Sequence, residues 1–278
     1  MLIENKSIVI IGGGPGGLTL ARLLQLKGAN VKVYERDFNK DARVQGSPLD
    51  MHEESGLAAI RKADLLEEFK QNFRPGADKK VIVNERAEIL FSDHGIKQNE
   101  DFGNEYFRPE IDRGPLRNML LESLQPETVV WDSHFISMEN QDQGWLLHFK
   151  NGLTAYADLV IAADGANSKI RPYITNIKAF YSGITMLEIN IFDTEKATPH
   201  FQTMLNGGKA MAFGNEKCLL GGQKGNGDIG FYASFKTGEN WTANSGLNFS
   251  DKTQENGEMM HSENALENML SFFSGHVK

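Results

Sequence analysis

The sequence predicts an α/β fold in which a parallel βαβ sheet is followed by an antiparallel sheet. Two continuous apolar runs, at residues 7–11 and 158–163, carry the β-branched side chains that are typical of strands buried on both faces of a parallel sheet. After residue 180 the apolar residues occur in shorter, alternating stretches separated by glycines, and this pattern favours antiparallel strands.

The first βαβ unit is predicted from its consecutive elements. The strand at 7–11 is followed by a glycine-rich turn and by a helix from Gly17 to Lys27, in which leucines recur at helical spacing. Gly28 supplies a stop signal for this helix, and a second strand is predicted at 31–35. Strand, turn, helix and strand within about 30 residues form a βαβ unit, whose crossover is expected to be right-handed.

The remaining elements follow from the same patterns. Helices are predicted at 54–70, 113–124 and 265–273. Strand-like apolar stretches interrupted by turns are predicted at 81–91 and 145–156, and further strands at 184–192, 218–221 and 230–235. The run at 158–163 is predicted to be a fully buried strand that returns to the first sheet and ends at Asp164-Gly165.

Composition and charge restrict the class of protein. The 278 residues are 40% hydrophobic and carry a formal net charge of −8 with both signs interspersed, which argues against nucleic-acid binding because phosphate contacts need clustered cations. The sequence has no apolar run of about 18 residues and no signal-peptide pattern, so we expect a cytoplasmic protein without membrane partners. A monomer is expected as well. A single cysteine, Cys218, and scattered histidines predict neither a disulfide nor a metal site.

Three glycines of the turn, Gly12, Gly14 and Gly17, fit the pattern G-x-G-x-x-G. The first permits a tight turn, the second lets the backbone approach a pyrophosphate, and the third allows the helix to pack closely on the strand. Glu35 follows Gly12 by about 20 residues, at a strand end where its carboxylate can accept hydrogen bonds from ribose hydroxyls. The pattern predicts a Rossmann-like dinucleotide site. A glycine turn without a ligand and a surface glutamate are the alternatives.

These residues alone leave the choice between FAD and NAD open, and a resemblance decides it. The segments Ile10-Ile-Gly-Gly-Gly-Pro-Gly-Gly-Leu-Thr-Leu-Ala and Val33-Tyr-Glu-Arg-Asp resemble the start of the FAD-dependent aromatic hydroxylases. The later segment Asp158-Leu-Val-Ile-Ala-Ala-Asp-Gly-Ala-Asn-Ser-Lys-Ile-Arg is similar to the Asp-Gly fingerprint of that family. The resemblance implies a monooxygenase that uses FAD, NADPH and molecular oxygen on a small-molecule substrate. No side chain of the chain is assigned as a catalytic nucleophile or base.

Within this family the sequence most resembles the tetracycline-modifying monooxygenases. The resemblance rests on Tyr34-Glu-Arg-Asp, Ala42-Arg43-Val-Gln-Gly, Leu49-Asp50-Met-His52, Pro109-Glu-Ile-Asp-Arg113, Leu116-Arg117, Val130-Trp131-Asp132 and Ser234-Phe-Lys-Thr. It implies that Arg43 serves NADPH, and that the cofactor-binding set is completed by Arg36, Asp50, Arg113, Asp164 and Gly165. The alternatives are a solvated loop charge at Arg43, turn or cap roles at Asp50 and Asp164, and an ion pair at Arg113. Arg117, one turn further along the helix, is a weaker candidate than Arg113.

The same resemblance implies substrate contacts at Glu188 and Lys209. Lys209 stands where the tetracycline branch has an arginine, and Glu188 stands where it has an amide. Lysine does not reproduce the planar fork with which arginine binds a ligand in a bidentate manner. The expected substrate is therefore a tetracycline-like molecule, with a consequence for antibiotic resistance, or another phenolic or cyclic electron-rich compound.

The resemblance also organises the chain into three parts: a FAD-binding domain with inserted strands at 1–178, a substrate-side β-sheet domain at 179–245, and a divergent or disordered tail at 246–278. The family's second flavin motif, Gly-Asp-Ala-x-His, has no match, and the resemblance ends near Gln254. We therefore expect a C-terminally truncated chain with weak flavin retention and little turnover. A catalytically defective FAD-binding remnant and a NAD(P)-dependent oxidoreductase are the alternative functions.

Overall fold

A computed structural model of the chain describes residues 3–42, 47–96 and 100–245. Arg43, the helix expected at 265–273 and the tail expected at 246–278 lie outside these residues. In the part of the chain that the structure describes, no helix has the length and apolar character needed to cross a membrane.

The strands, in chain order, are β1 (Ser7–Ile11), β2 (Asn30–Tyr34), β3 (Leu49–Asp50), β4 (Lys80–Val83), β5 (Ile89–Ser92), β6 (Glu110–Ile111), β7 (Val129–Val130), β8 (Phe135–Gln141), β9 (Gly144–Phe149), β10 (Thr154–Ala157), β11 (Leu159–Ala162), β12 (Ile184–Ile191), β13 (Lys209–Gly214), β14 (Lys217–Gln223) and β15 (Ile229–Lys236). The helices are α1 (Pro15–Leu26), α2 (Ala58–Lys62), α3 (Leu66–Asn72), α4 (Arg113–Glu122), α5 (Arg171–Ile174), α6 (Thr194–Ala197), α7 (Pro199–Leu205) and α8 (Trp241–Asn244). A π-helical turn at Glu53–Leu57 leads into α2.

The described residues form two compact units that alternate along the chain. The first comprises residues 3–42, 51–73 and 113–178, and its central sheet has the strand order β11-β1-β2-β7 with every pair parallel. The predicted βαβ unit is confirmed as β1-α1-β2, and the predicted return of the chain is confirmed as β11. Ile10 of β1 lies opposite Ile161 of β11 in the register of these two strands.

Both faces of β1 are covered, which explains its continuous apolar sequence. Ile8 and Ile10 pack with Ala21 of α1 on one face, whereas Val9 and Ile11 pack with residues of the antiparallel sheet β10-β9-β8 on the other. These four strand residues are at most 2% exposed, and burial of one such side chain contributes about 1.5–3 kcal/mol to folding. The sequence of β1 therefore positions the glycine turn that follows it.

Two expectations for the first unit are corrected. The strand β11 is not fully buried, because it lies at the edge of its sheet within the described residues and Leu159 remains 43% exposed. The helix expected at 54–70 is broken in two, because Asp64 adopts a left-handed conformation with φ of 60° between α2 and α3. Aspartate is one of the few non-glycine residues that adopt this conformation readily.

The second unit comprises residues 47–50, 74–96, 100–112 and 179–245. Its main sheet has the order β12-β15-β14-β13-β4-β5, and the expected antiparallel pairing holds for all neighbours except the parallel pair β13 and β4. Phe201 and Leu205 of α7, a helix not expected from the sequence, pack on this sheet against Leu219 and Phe231. A separate two-stranded sheet pairs β3 with β6 and places Asp50 opposite Glu110.

Candidate cofactor site

The glycine turn connects β1 to α1, and two of its glycines are required by close backbone contacts. Gly12 has φ of 110°, and a Cβ atom there would lie 2.3 Å from the carbonyl oxygen of Ala163. A Cβ atom on Gly17 would lie 2.1 Å from the carbonyl oxygen of Gly12. Gly14 differs, because no atom lies within 4 Å of the position that its Cβ would take. The turn is therefore tightly packed on one side and open on the side of Gly14.

A cavity of about 250 Å³ opens in front of this turn. Six residues predicted from the sequence line it: Gly12, Gly14, Glu35, Arg36, Asp164 and Gly165. The parallel pairing of β11, β1 and β2 brings them together, because the carboxyl ends of parallel strands meet at the same edge of a sheet. Two sequence motifs that are far apart in the chain thus form one site.

Glu35 binds the glycine turn directly. Its side chain is only 3% exposed, and its Oε2 accepts a hydrogen bond from the backbone N–H of Gly13 at 2.5 Å. Its Oε1 accepts a second hydrogen bond from the N–H of Asp37 at 3.0 Å. The carboxylate that makes these two bonds also lines the cavity.

Arg117 contacts the other side of the same glycine. It is 2% exposed, and its Nε donates to the carbonyl oxygen of Gly13 at 3.3 Å. Its Nη1 donates to the carbonyl oxygen of Lys40 at 2.9 Å, and its Nη2 donates to Oδ2 of Asp37 at 3.2 Å. The guanidinium also lies over the ring of Trp131, 5.4 Å from its centroid. Arg117 therefore holds the glycine turn through the carbonyl oxygen of Gly13, whereas Glu35 holds it through the N–H of the same residue.

The sequence around Arg117 carries a local signal of its burial. Leu116 and Leu120 are both buried on α4, and residue 117 falls on the same face of a helix with 3.6 residues per turn. An arginine within an apolar stripe needs buried acceptors, since burying an unpaired charge is costly. The identity of those acceptors, 104 residues away in the case of Gly13, could not be read from the local pattern.

Three basic side chains line the cavity. Arg36, His134 and Lys169 line it, and Nζ of Lys169 lies 3.1 Å from Nε2 of His134. Burial lowers the pKa of His134, and the charges of Lys169, Lys150 and Arg36 lower it further. A neutral imidazole accepts the hydrogen bond from the lysine ammonium, and the charges of Arg36 and Lys169 balance the carboxylates of Glu35 and Asp164, which line the same cavity.

Asp164 contributes an unsatisfied buried acceptor to this cavity. Its Oδ2 accepts a hydrogen bond from the N–H of Lys169 at 2.8 Å, whereas its Oδ1 is buried and has no hydrogen-bond partner among the described residues. A buried polar atom without a partner costs about 1–3 kcal/mol. The hydroxyl groups of a dinucleotide are donors that would satisfy this oxygen, so the residues present fit such a ligand.

Two further predicted residues, Asp50 and Lys209, lie together in the second unit. Nζ of Lys209 lies 3.0 Å and 3.2 Å from the two carboxylate oxygens of Asp50 and also bonds to Oε1 of Glu110. Burial, together with the neighbouring Asp50, raises the pKa of Glu110 to about 7, although Lys209 opposes this shift. Burial lowers the pKa of Lys209, but the two carboxylates outweigh it and the net pKa is raised.

Glu188, the other residue expected to contact substrate, is not part of this cluster. It lies on β12, and its Oε1 accepts a hydrogen bond from the hydroxyl of Tyr232 on β15 at 3.1 Å. Within the described residues, the structure therefore brings Lys209 to Asp50 and leaves Glu188 on a different strand of the sheet.

Comparison with known proteins identifies the family. A family model described as an FAD binding domain matches residues 5–217. Monooxygenase asqM of Emericella nidulans is 28% identical over 235 residues, which make up 78% of this chain and 51% of that protein. The 6-hydroxynicotinate 3-monooxygenase of Pseudomonas fluorescens is 27% identical over 176 residues, 60% of this chain and 43% of that protein. The chain spans about half the length of the curated relatives it matches.

Solved structures share the fold. Klebsiella pneumoniae HpxO complexed with FAD and uric acid aligns with a TM-score of 0.66 at 19% identity, over 91% of this chain and 60% of that chain. The tetracycline destructase Tet(51) aligns with a TM-score of 0.58 at 19% identity, over 90% of this chain and 60% of that chain. Because the FAD binding domain model matches most of the sequence, and because the glycine turn, Glu35 and Asp164 line one cavity, the chain belongs to the FAD binding domain family.

Proposed function

We propose that this chain holds FAD in the cavity of its first unit and serves a monooxygenase that uses NADPH and molecular oxygen to hydroxylate an electron-rich cyclic substrate. The observation that carries the proposal is the convergence of Gly14, Glu35 and Asp164 on one cavity. Bound FAD supplies the hydride acceptance and oxygen activation that side chains of this chain lack. The residues of the chain bind and orient the cofactor.

The glycine turn is proposed to hold the diphosphate. The first backbone N–H groups of α1 and the positive end of its helix dipole favour an anion, here the proposed diphosphate, at the N-terminus of the helix. Pro15 at the first helical position has no N–H group that would need a partner. Glu35 accepts hydrogen bonds from the ribose of the adenosine part. Arg36 and Lys169 add positive charge at the same cavity.

The remaining site residues are assigned by resemblance. We propose that Asp50, Arg113 and Gly165 help to hold FAD and that Arg43 serves NADPH. Asp164 Oδ1, which has no partner within the described residues, supports a cofactor hydroxyl at that position. We further propose a monomer that acts in the cytoplasm without membrane or nucleic-acid partners.

For the substrate, we propose a phenolic or heterocyclic ring, of which tetracycline-like molecules are one case. The relative named 6-hydroxynicotinate 3-monooxygenase supports an electron-rich aromatic ring. We propose that Lys209 and Glu188 contact this ring. The ion pairs of Lys209 with Asp50 and Glu110 also support a role for Lys209 in holding the side chain of Asp50 in place.

Reconstitution of the purified chain with FAD tests this function. We expect bound flavin, visible in the absorption spectrum, although the sequence predicts that it is retained only weakly after removal of free cofactor. The monooxygenase reaction requires NADPH oxidation that a phenolic or tetracycline substrate stimulates, and the sequence predicts that this turnover is slow. Retention of flavin without NADPH oxidation would favour a catalytically silent FAD-binding protein. Binding of a nicotinamide cofactor in place of FAD would contradict the proposal and favour a NAD(P)-dependent oxidoreductase.

A further inference from the structure

Four groups in the first unit form a closed ring of hydrogen bonds around Gly13. Glu35 accepts the N–H of Gly13, and Arg117 donates to the carbonyl oxygen of the same residue. Arg117 also donates to the carboxylate of Asp37, and the N–H of Asp37 donates back to Glu35. The polar groups on both sides of Gly13 are thus held by side chains from other elements, one at the end of β2 and one on α4.

This ring fixes the direction of the next N–H group. In a trans peptide the carbonyl of one residue and the N–H of the following residue point in opposite directions, and the described residues contain no cis peptide bond. Since the carbonyl of Gly13 points at Arg117, the N–H of Gly14 points away from it. Gly14 lines the cavity and has open space beside it, and its N–H makes no hydrogen bond within the described residues.

We propose that Arg117 is a positioning residue for the diphosphate of the cofactor, because it holds the Gly13–Gly14 peptide with the Gly14 N–H directed to the ligand. The proposal rests on the binding of FAD by this cavity and adds a residue that acts without touching the cofactor. Arginine suits this role because its fork reaches Gly13, Lys40 and Asp37 at once, which a single ammonium cannot do.

The test compares ligands with and without a diphosphate. Arg117→Lys keeps the positive charge and loses the fork, and we expect it to weaken the binding of ADP and FAD about tenfold while adenosine binding changes less than about twofold. Arg22→Lys is the matched control. Arg22 also donates to two backbone carbonyls of the first unit, at Ala63 and Ser123, but it does not contact the glycine turn. This control should leave both affinities unchanged.

A second variant, Asp37→Asn, carries the test if Arg117→Lys does not fold. This variant keeps an oxygen acceptor for Arg117 and removes the negative charge. The affinity for ADP should therefore fall about threefold, and the affinity for adenosine should not change. Equal losses for ADP and adenosine, or full ADP affinity in both variants, would overturn the positioning role. If the parent chain binds neither ADP nor FAD, the proposed function is wrong and the positioning role is rejected with it. If the parent chain binds both ligands and the variants bind them equally well, only the positioning role is rejected.

Discussion

The carboxylate of Glu35 and the backbone N–H of Gly13 are joined by a 2.5 Å hydrogen bond, although the two residues are 22 positions apart in the chain. The bond ties the end of β2 to the turn that follows β1, so the acidic residue shapes the turn as well as facing the cavity. A change at Glu35 is therefore expected to affect both the turn and the ligand.

Glu35→Gln should weaken FAD binding by about 1–3 kcal/mol. The amide keeps one acceptor, but its NH₂ group must then face the N–H of either Gly13 or Asp37, which leaves a donor unpaired. Quenching of flavin fluorescence on titration gives the dissociation constant. An affinity equal to that of the parent would show that Glu35 is not needed at the cofactor.

Gly14→Val should abolish flavin binding without unfolding the chain. Its side chain would enter open space in the flavin-free protein, because no atom lies within 4 Å of the Cβ position, and that space is where the diphosphate is proposed to lie. Gly16→Val is the matched control, since its Cβ position is equally open but Gly16 does not line the cavity. Circular dichroism checks the fold and equilibrium dialysis checks FAD; equal flavin retention by the two variants would reject the assignment.

Asp164→Asn should change the stability of the flavin-free protein and its affinity for FAD in different ways. The substitution removes a carboxylate whose buried Oδ1 has no partner in the described residues, while the amide oxygen of asparagine can still accept the N–H of Lys169. We expect the flavin-free protein to be as stable as the parent or more stable, and FAD to bind more weakly. Denaturant titration and FAD titration measure the two quantities, and a loss of stability with unchanged FAD affinity would count against a cofactor role.

Much of this site could be predicted because its signals are local. The turn is determined by the spacing of Gly12, Gly14 and Gly17 and by the apolar run before them. The parallel pairing of β11 with β1 brings Asp164 to the same edge of the sheet as this turn. Contacts between distant segments were not predictable in this way. The bonds of Arg117 to Gly13 and of Lys209 to Asp50 join residues 104 and 159 positions apart, and no periodicity encodes such partners.

The breaks in secondary structure show the same limit. The helix expected at 54–70 is interrupted because Asp64 adopts the left-handed backbone conformation. The apolar pattern around Asp64 does not predict this conformation. The strand at 159–162 has the composition of a buried strand, yet its place at the sheet edge among the described residues leaves Leu159 exposed. Strand order depends on the whole chain, whereas composition reports only the segment itself.

The stability of the second unit is expected to fall as the pH rises from about 4.5 to about 7. Glu110 has a folded-state pKa of about 7, raised from 4.5, so the folded chain binds this proton more tightly than the unfolded chain. Stability from this group is complete below the unfolded pKa and is lost as the pH passes through the folded one. The loss amounts to at most about 3 kcal/mol.

Glu110→Gln provides the check on this pH dependence. The amide mimics the protonated acid beside Asp50 and Lys209, so the free energy of unfolding of the variant should stay nearly constant between pH 5 and pH 8. Denaturant unfolding of both proteins at several pH values measures the difference. Parallel curves for parent and variant would show that Glu110 does not carry the titration.

A crystal structure of the chain with FAD tests the central claim most directly, because it locates the cofactor relative to Gly14, Glu35 and Asp164. We predict that the diphosphate lies against the N–H of Gly14 and that a cofactor hydroxyl lies within hydrogen-bond distance of Oδ1 of Asp164, which has no other partner in the described residues. A cofactor bound elsewhere on the chain, or an Asp164 Oδ1 that still lacks a donor from the bound cofactor, would contradict the account.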